Sequence, residues 1–170
     1  MIKDIINKLF NRKNKIDDAY YTEFSNLVNN AKAIRNIIAD MNVMLLQIIN
    51  HEPINTRWEK INSLTFKDVG ELSSFIVTLC TSAQDELNNA KAKVLETYGR
   101  HALSRTESSI YSLCDELLSS LELVKIYSAN VNKYPENWTF DSIDTFANAI
   151  YYMNQTLIDH FDTEMKKIAG

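Results

Sequence analysis

Residues 20–49 read YYTEFSNLVNNAKAIRNIIADMNVMLLQII. Stepping through this stretch by fours and threes collects Tyr20, Phe24, Leu27, Ala31, Ile34, Ile38, Met41, Leu45 and Ile48. That alternation places the side chains on one stripe of a single long helix. A second, partial stripe of Tyr21, Val28, Ile37, Met44 and Ile49 widens it to the breadth of a helix packed in a bundle. The two halves of the stretch differ. Its first half is apolar on one side, whereas Ile37–Ile49 also carries Val43 and Leu46 off the main stripe, so a second cover is expected there.

Three later segments repeat the design. Val69, Leu72, Ile76, Leu79, Ala83, Leu87, Ala90, Val94 and Tyr98 form one stripe; Ile110, Leu113, Leu117, Leu121, Val124, Tyr127 and Val131 form the next. The last runs through Ile143, Phe146, Ala147, Ile150, Met153, Leu157, Phe161, Met165 and Ile168. Punctuation falls between the stripes. Asp17 and Asp18 suit the start of the first long helix, and His51-Glu52-Pro53 its end. Thr65-Phe66-Lys67-Asp68 opens the second, and Gly99 is a natural left-handed stop. Ser104-Arg105-Thr106-Glu107 is a capping box for the third, and the fourth opens around Thr139 to Asp141. With only three Gly and two Pro in 170 residues there is little room for a sheet with tight turns. The expected fold is all-α: an antiparallel four-helix bundle, with a short N-terminal amphipathic helix and another short helix in the long connection, over Thr56–Leu64.

Charge divides the chain into 1–15, a basic amphipathic helix and linker, and 16–170, a single bundle domain. The formal net charge is −4, yet residues 1–15 hold Lys3, Lys8, Arg12, Lys13 and Lys15 against Asp4 alone. The body is therefore acidic and offers no extended basic face to phosphates, which argues against nucleic acid as a partner. In the arm, Ile2, Ile5, Ile6, Leu9 and Phe10 share one helical face, followed by Arg12 and Lys13. So short a helix needs a surface to lie on: the open end of the bundle, an anionic membrane, or a protein partner. No run is long and apolar enough to span a bilayer, and Asp4, Asn7 and Lys8 interrupt anything resembling a signal peptide. A cytoplasmic protein, or one resting on the inner membrane face through residues 1–15, is the expectation.

The spacing of His, Arg, Cys and Gly fits none of the common catalytic or metal patterns. A di-iron bundle needs Glu three residues before His, but Ile48, Tyr98 and Leu157 precede His51, His101 and His160. His160 and Glu164 are one turn apart, and a lone pair of this kind is more often a surface contact than a metal site. A phosphotransfer histidine would be followed one turn later by Lys and Gly, which neither His101 nor His160 is. No Arg has a His four to six residues downstream, as in helical RNases, and Gly70, Gly99 and Gly170 are too isolated for a phosphate-cradling loop. Cys80 and Cys114 fall on consecutive helices on the order of 12 Å apart along the bundle, too far for a disulfide. No metal, cofactor or catalytic residue is expected.

Interaction surfaces remain. The first candidate is Val43, Leu46 and Ile49 with Trp58 and Ile61, where the connection folds back as a lid or a second subunit covers the helix. The second is an aromatic set, Tyr20, Tyr21, Tyr127, Tyr134 and Trp138, which fits core anchoring or a contact. The third is the acidity of the outer faces of the last three long helices: Asp85, Glu86, Glu96, Glu107, Asp115, Glu116, Glu122, Asp141, Asp144, Asp159, Asp162 and Glu164. It fits a solvated face or an inhibitor of a basic cleft. A non-enzymatic adaptor or inhibitor, binding a protein partner or a second copy, is the expected function. A small-molecule sensor or carrier bundle and a peripheral membrane scaffold are the alternatives.

Overall fold

The computed structural model describes residues 3, 18–55, 57–58, 68–98, 103–133 and 143–170. Among them are four α-helices and no strand: α1 (Asp18–Ile49), α2 (Val69–Thr97), α3 (Arg105–Lys133) and α4 (Ile143–Ala169). The expected helix within residues 1–10 lies outside the described residues. So does most of 56–64, where Arg57 and Trp58 are described and form a turn.

The apolar stripes become the core. Of the α1 stripe, every residue from Tyr20 to Leu45 is buried, and Ile48 packs against them half-covered. Cross-helix contacts give the directions. Arg35 meets Asp162, Asn42 meets Tyr151 and Gln155, and His51 meets Asp144, so α1 and α4 run antiparallel. Ser73 to the Ser128 carbonyl, Gln84 to Glu122 and Lys91 to Asp115 do the same for α2 and α3. Tyr127 stacks on Phe146 and His160 meets Glu116, aligning α3 against α4 in the same sense. The diagonal pairs touch least. The result is a four-helix bundle of packed antiparallel neighbours.

Helix ends follow local chemistry. Asp68 caps α2, its extended backbone letting Oδ1 accept from the Glu71 N–H at 2.9 Å. The capping box of α3 closes both ways: the Glu107 N–H donates to Ser104 Oγ (3.1 Å) and the Ser104 N–H to Glu107 Oε1 (3.3 Å). At the end of α1 the Glu52 N–H reaches the Gln47 carbonyl (2.8 Å) and the His51 N–H the Ile48 carbonyl (3.2 Å). That pairing is a Schellman stop, and it holds His51 at φ 56°, the left-handed conformation usually given to Gly.

Glu107 departs from the sequence reading. Expected on an outer face, it is buried, because its position is the third of α3 and its carboxylate turns back to the helix start. There Tyr20 Oη donates to Glu107 Oε2 at 2.5 Å, tying the start of α1 to the start of the diagonal helix α3.

Two outcomes follow. Tyr20→Phe should destabilise the protein by about 1–3 kcal/mol, by leaving a buried carboxylate oxygen without that donor; urea denaturation measures it, and an unmoved midpoint refutes the role assigned to the bond. His51→Gly removes left-handed strain of about 1 kcal/mol and should raise Tm by about 2–4 °C. A fall in Tm would mean that the lost contact with Asp144 outweighs the strain.

Candidate functional site

On α1, Lys32, Asn36, Ala39, Val43, Leu46 and Asn50 follow one another by fours and threes, like the core stripe but rotated away from it. Val43 and Leu46 are the exposed apolar members; Lys32 and Asn36 border the α1–α4 groove, Ala39 packs half-buried on the core, and Asn50 follows the last helical residue. Val43 is 47% exposed and Leu46 38%, adjacent on one turn. This is the half of α1 for which the sequence calls for a second cover.

The cover lies elsewhere. Trp58 is buried, but its ring stands edge-on to Phe75 of α2, centroids 5.7 Å apart. Polar side chains steer it there. Gln47 grips Asn55 twice, donating from Nε2 to Asn55 Oδ1 (2.7 Å) and accepting from the Asn55 N–H at Oε1 (3.2 Å). Arg57 Nε then reaches Asp40 Oδ2 at 2.6 Å and lies over the Trp58 ring. Asp40 and Gln47 are seven residues apart, on the α2-facing side of α1. As far as Trp58 the returning chain follows that side, and among the described residues Val43 and Leu46 remain partly exposed. Of the expected five-residue face, therefore, Val43 and Leu46 are exposed, Ile49 is half-covered against the core, Trp58 belongs to the α1–α2 groove, and Ile61 lies outside the described residues.

The aromatic set is divided between two ends. Tyr20 and Tyr21 pack beside Phe24 and Tyr98, where α1 and α3 begin. Tyr127 stacks on Phe146 at the other end, with ring planes nearly parallel. Tyr134 and Trp138 lie outside the described residues, as do Ile2, Ile5, Ile6, Leu9, Phe10, Arg12 and Lys13. Burial, then the bond to Glu107, pushes the Tyr20 phenol far above its usual range, so it is a neutral donor.

Much of the acidic surface is engaged within the chain. Asp115 pairs with Lys91, Asp162 with Arg35 and Glu164 with Lys167. Glu116 contacts His160 at 2.5 Å, and Asp144 contacts His51 at 3.2 Å. Glu122 accepts from Gln84 and pairs with Lys125, which holds its carboxyl below the usual range. The sequence reading passes over Lys32, Arg35 and Lys166, which the fold gathers along the α1–α4 groove. Only their residue type could have signalled this, since 127 positions separate Arg35 from its partner Asp162.

Among the described residues no three His, Cys, Asp or Glu side chains are grouped to hold a metal ion, and no helix is long and apolar enough to cross a membrane. Cys80 and Cys114 are free and buried. Comparison with family models, with curated proteins and with solved structures returns no match to this chain.

Burial raises both thiols from 9.0 to about 12, against a weaker opposing pull from Lys125 on Cys80 and Lys91 on Cys114. The folded state thus holds these protons more tightly than the unfolded chain. Their contribution to stability is complete below pH 9 and declines as pH rises toward 12, by at most about 1.4 kcal/mol per pH unit per thiol. Denaturation series at pH 8 and above pH 10 should show that decline, and Cys80→Ser/Cys114→Ser should flatten it. Thiol reagents at pH 8 should label the folded protein only as fast as it unfolds; rapid labelling would contradict the burial.

Proposed function

We propose that this protein acts by binding another protein, without chemistry of its own, and that the outward side of α1 around Val43 and Leu46 makes the contact. The observation that carries this reading is the bare pair itself. Scattered apolar residues are ordinary on any surface, and Leu123 and Ile126 on α3 also share an exposed turn, but Val43 and Leu46 lie on the half of α1 that is apolar nearly all round, and the connection as far as Trp58 passes on the other side of the helix. Contact between helices would bury such a row in the manner of helix-in-groove recognition.

The adaptor form of this reading has more support than the inhibitor form. An inhibitor of a basic cleft needs acidic groups free to meet it, and much of the acidity on α3 and α4 is engaged by this chain's own Lys, Arg, His and Gln. A second copy of the chain is the simplest partner, and its contribution is separable by experiment.

Neither residue belongs to the buried core, and Val43→Asp/Leu46→Asp is compared with the parent once its Tm shows that it is folded. Light scattering after size exclusion, together with affinity capture from the source cells, should show a dimer or a defined partner for the parent protein. The double variant should weaken that association by at least about tenfold, as loss of a central apolar anchor does. A parent protein that is monomeric, with captured proteins identical for parent and variant, overturns the proposal.

A further inference from the structure

Between the middle of α1 and the last turns of α4 lies a groove of about 240 Å³. Its floor is apolar: Phe161 and Met165, one turn apart on α4, are both buried there. Along its walls stand Lys32 and Arg35 from α1 and Asp162 and Lys166 from α4.

The charges in the groove are not equivalent. Asp162 takes the guanidinium fork of Arg35 in both oxygens, at 2.9 Å from Nε and 2.7 Å from Nη2. This bidentate pair binds α1 to α4 and engages those two donors in place. Lys32 and Lys166 have no ion-pair partner among the described residues, although the chain carries a net charge of −4. Of the other described cations, Arg57, Lys91, Lys125 and Lys167 are each paired with a carboxylate, whereas Lys93 and Arg105 are unpaired among the described residues but stand exposed, away from this groove. Two uncompensated ammonium groups therefore flank an apolar floor, with a neutral ion pair between the helices.

A guest that satisfies this groove needs negative charge for the lysines and a short apolar body for Phe161 and Met165. At about 30 Å³ per water-sized group, the volume accommodates roughly eight heavy-atom units. That is below the usual size of a drug-like pocket; the groove is open on one side, so the head and the first part of a longer chain lie in it and the chain end projects into water. We propose that the groove binds a small amphiphilic anion, its head between Lys32 and Lys166 and its tail along Phe161 and Met165. Carboxylate and phosphate monoester heads share the required chemistry. Lysine ammonium groups act on either as point charges, without the planar matching that an open Arg fork would impose. This inference does not rest on protein binding at Val43 and Leu46, which do not line the groove, although Lys32 and Asn36 lie further along the same row of α1.

The test uses the full chain labelled at methionine methyls, with Met165→Leu assigning the resonance at the groove floor. Octanoate and octyl phosphate are the probes. Octanol supplies the tail without charge, and inorganic phosphate the charge without a tail. Saturable movement of the Met165 signal by either amphiphile, and weaker binding of both controls, is the expected result. Lys32→Glu and Lys166→Glu should each weaken the binding by at least about tenfold. Lys32→Met and Lys166→Met, which reverse no charge, should weaken it less and carry the test if a Glu variant fails to fold. The proposal is overturned if neither amphiphile binds, if the response lies at another methionine, or if octanol or inorganic phosphate binds as tightly. Indifference to replacement of both lysines overturns it as well.

Discussion

A hydrogen bond from a buried tyrosine to a buried carboxylate sets the frame of this bundle. Glu107 sits where an isolated charge would cost several kcal/mol, and it is tolerated because its oxygens are served from two sides. The Ser104 N–H donates to one oxygen, Tyr20 Oη to the other, and the positive end of α3 lies behind both. Since Tyr20 belongs to α1, the bond fixes the height of α1 against its diagonal neighbour. Phe24 against Tyr111, one turn along, keeps the same register. From that level the α1–α4 contacts follow in steps, Arg35 to Asp162, Asn42 to Gln155, His51 to Asp144. Apolar stripes alone would permit sliding by a turn. A polar contact with one satisfied geometry does not.

The same logic shapes the outside. Gln47 and Asp40 project toward α2, so the chain leaving α1 is drawn back along that side and Trp58 is seated on Phe75. Among the described residues, then, the side chains that hold the connection lie on the other side of α1 from Val43 and Leu46. This is the physical basis for proposing that row as a contact surface.

Legibility differs by feature. The capping box of α3, the stripes and the stop after Asn50 could be read because each depends on residues three to five positions apart. Glu107 was misplaced on an outer face because its partner Tyr20 is 87 positions away. The capping-box pattern held the clue, since a residue in that role turns its side chain back toward the helix start. The lid of Trp58 was half-legible: the segment does fold back and bury its indole, but which side of α1 it takes depends on Phe75, beyond any local pattern. The acidic faces were legible as composition and misleading as surface, because pairs such as Lys91 with Asp115 join different helices.

The amino-acid order by itself determined that the chain makes four long helices, the capping box that opens α3 and the stop that closes α1, and which side of each helix meets the core. Those properties arise from the 3.6-residue period and from contacts within a turn, so they are present in any window of the chain. Tertiary structure decided what remains on the surface: a bare Val43 and Leu46, a paired acidic shell, and two unpaired lysines over Phe161 and Met165. Exposure and charge compensation are properties of neighbours, and in a bundle the neighbours of each helix come mostly from distant parts of the chain.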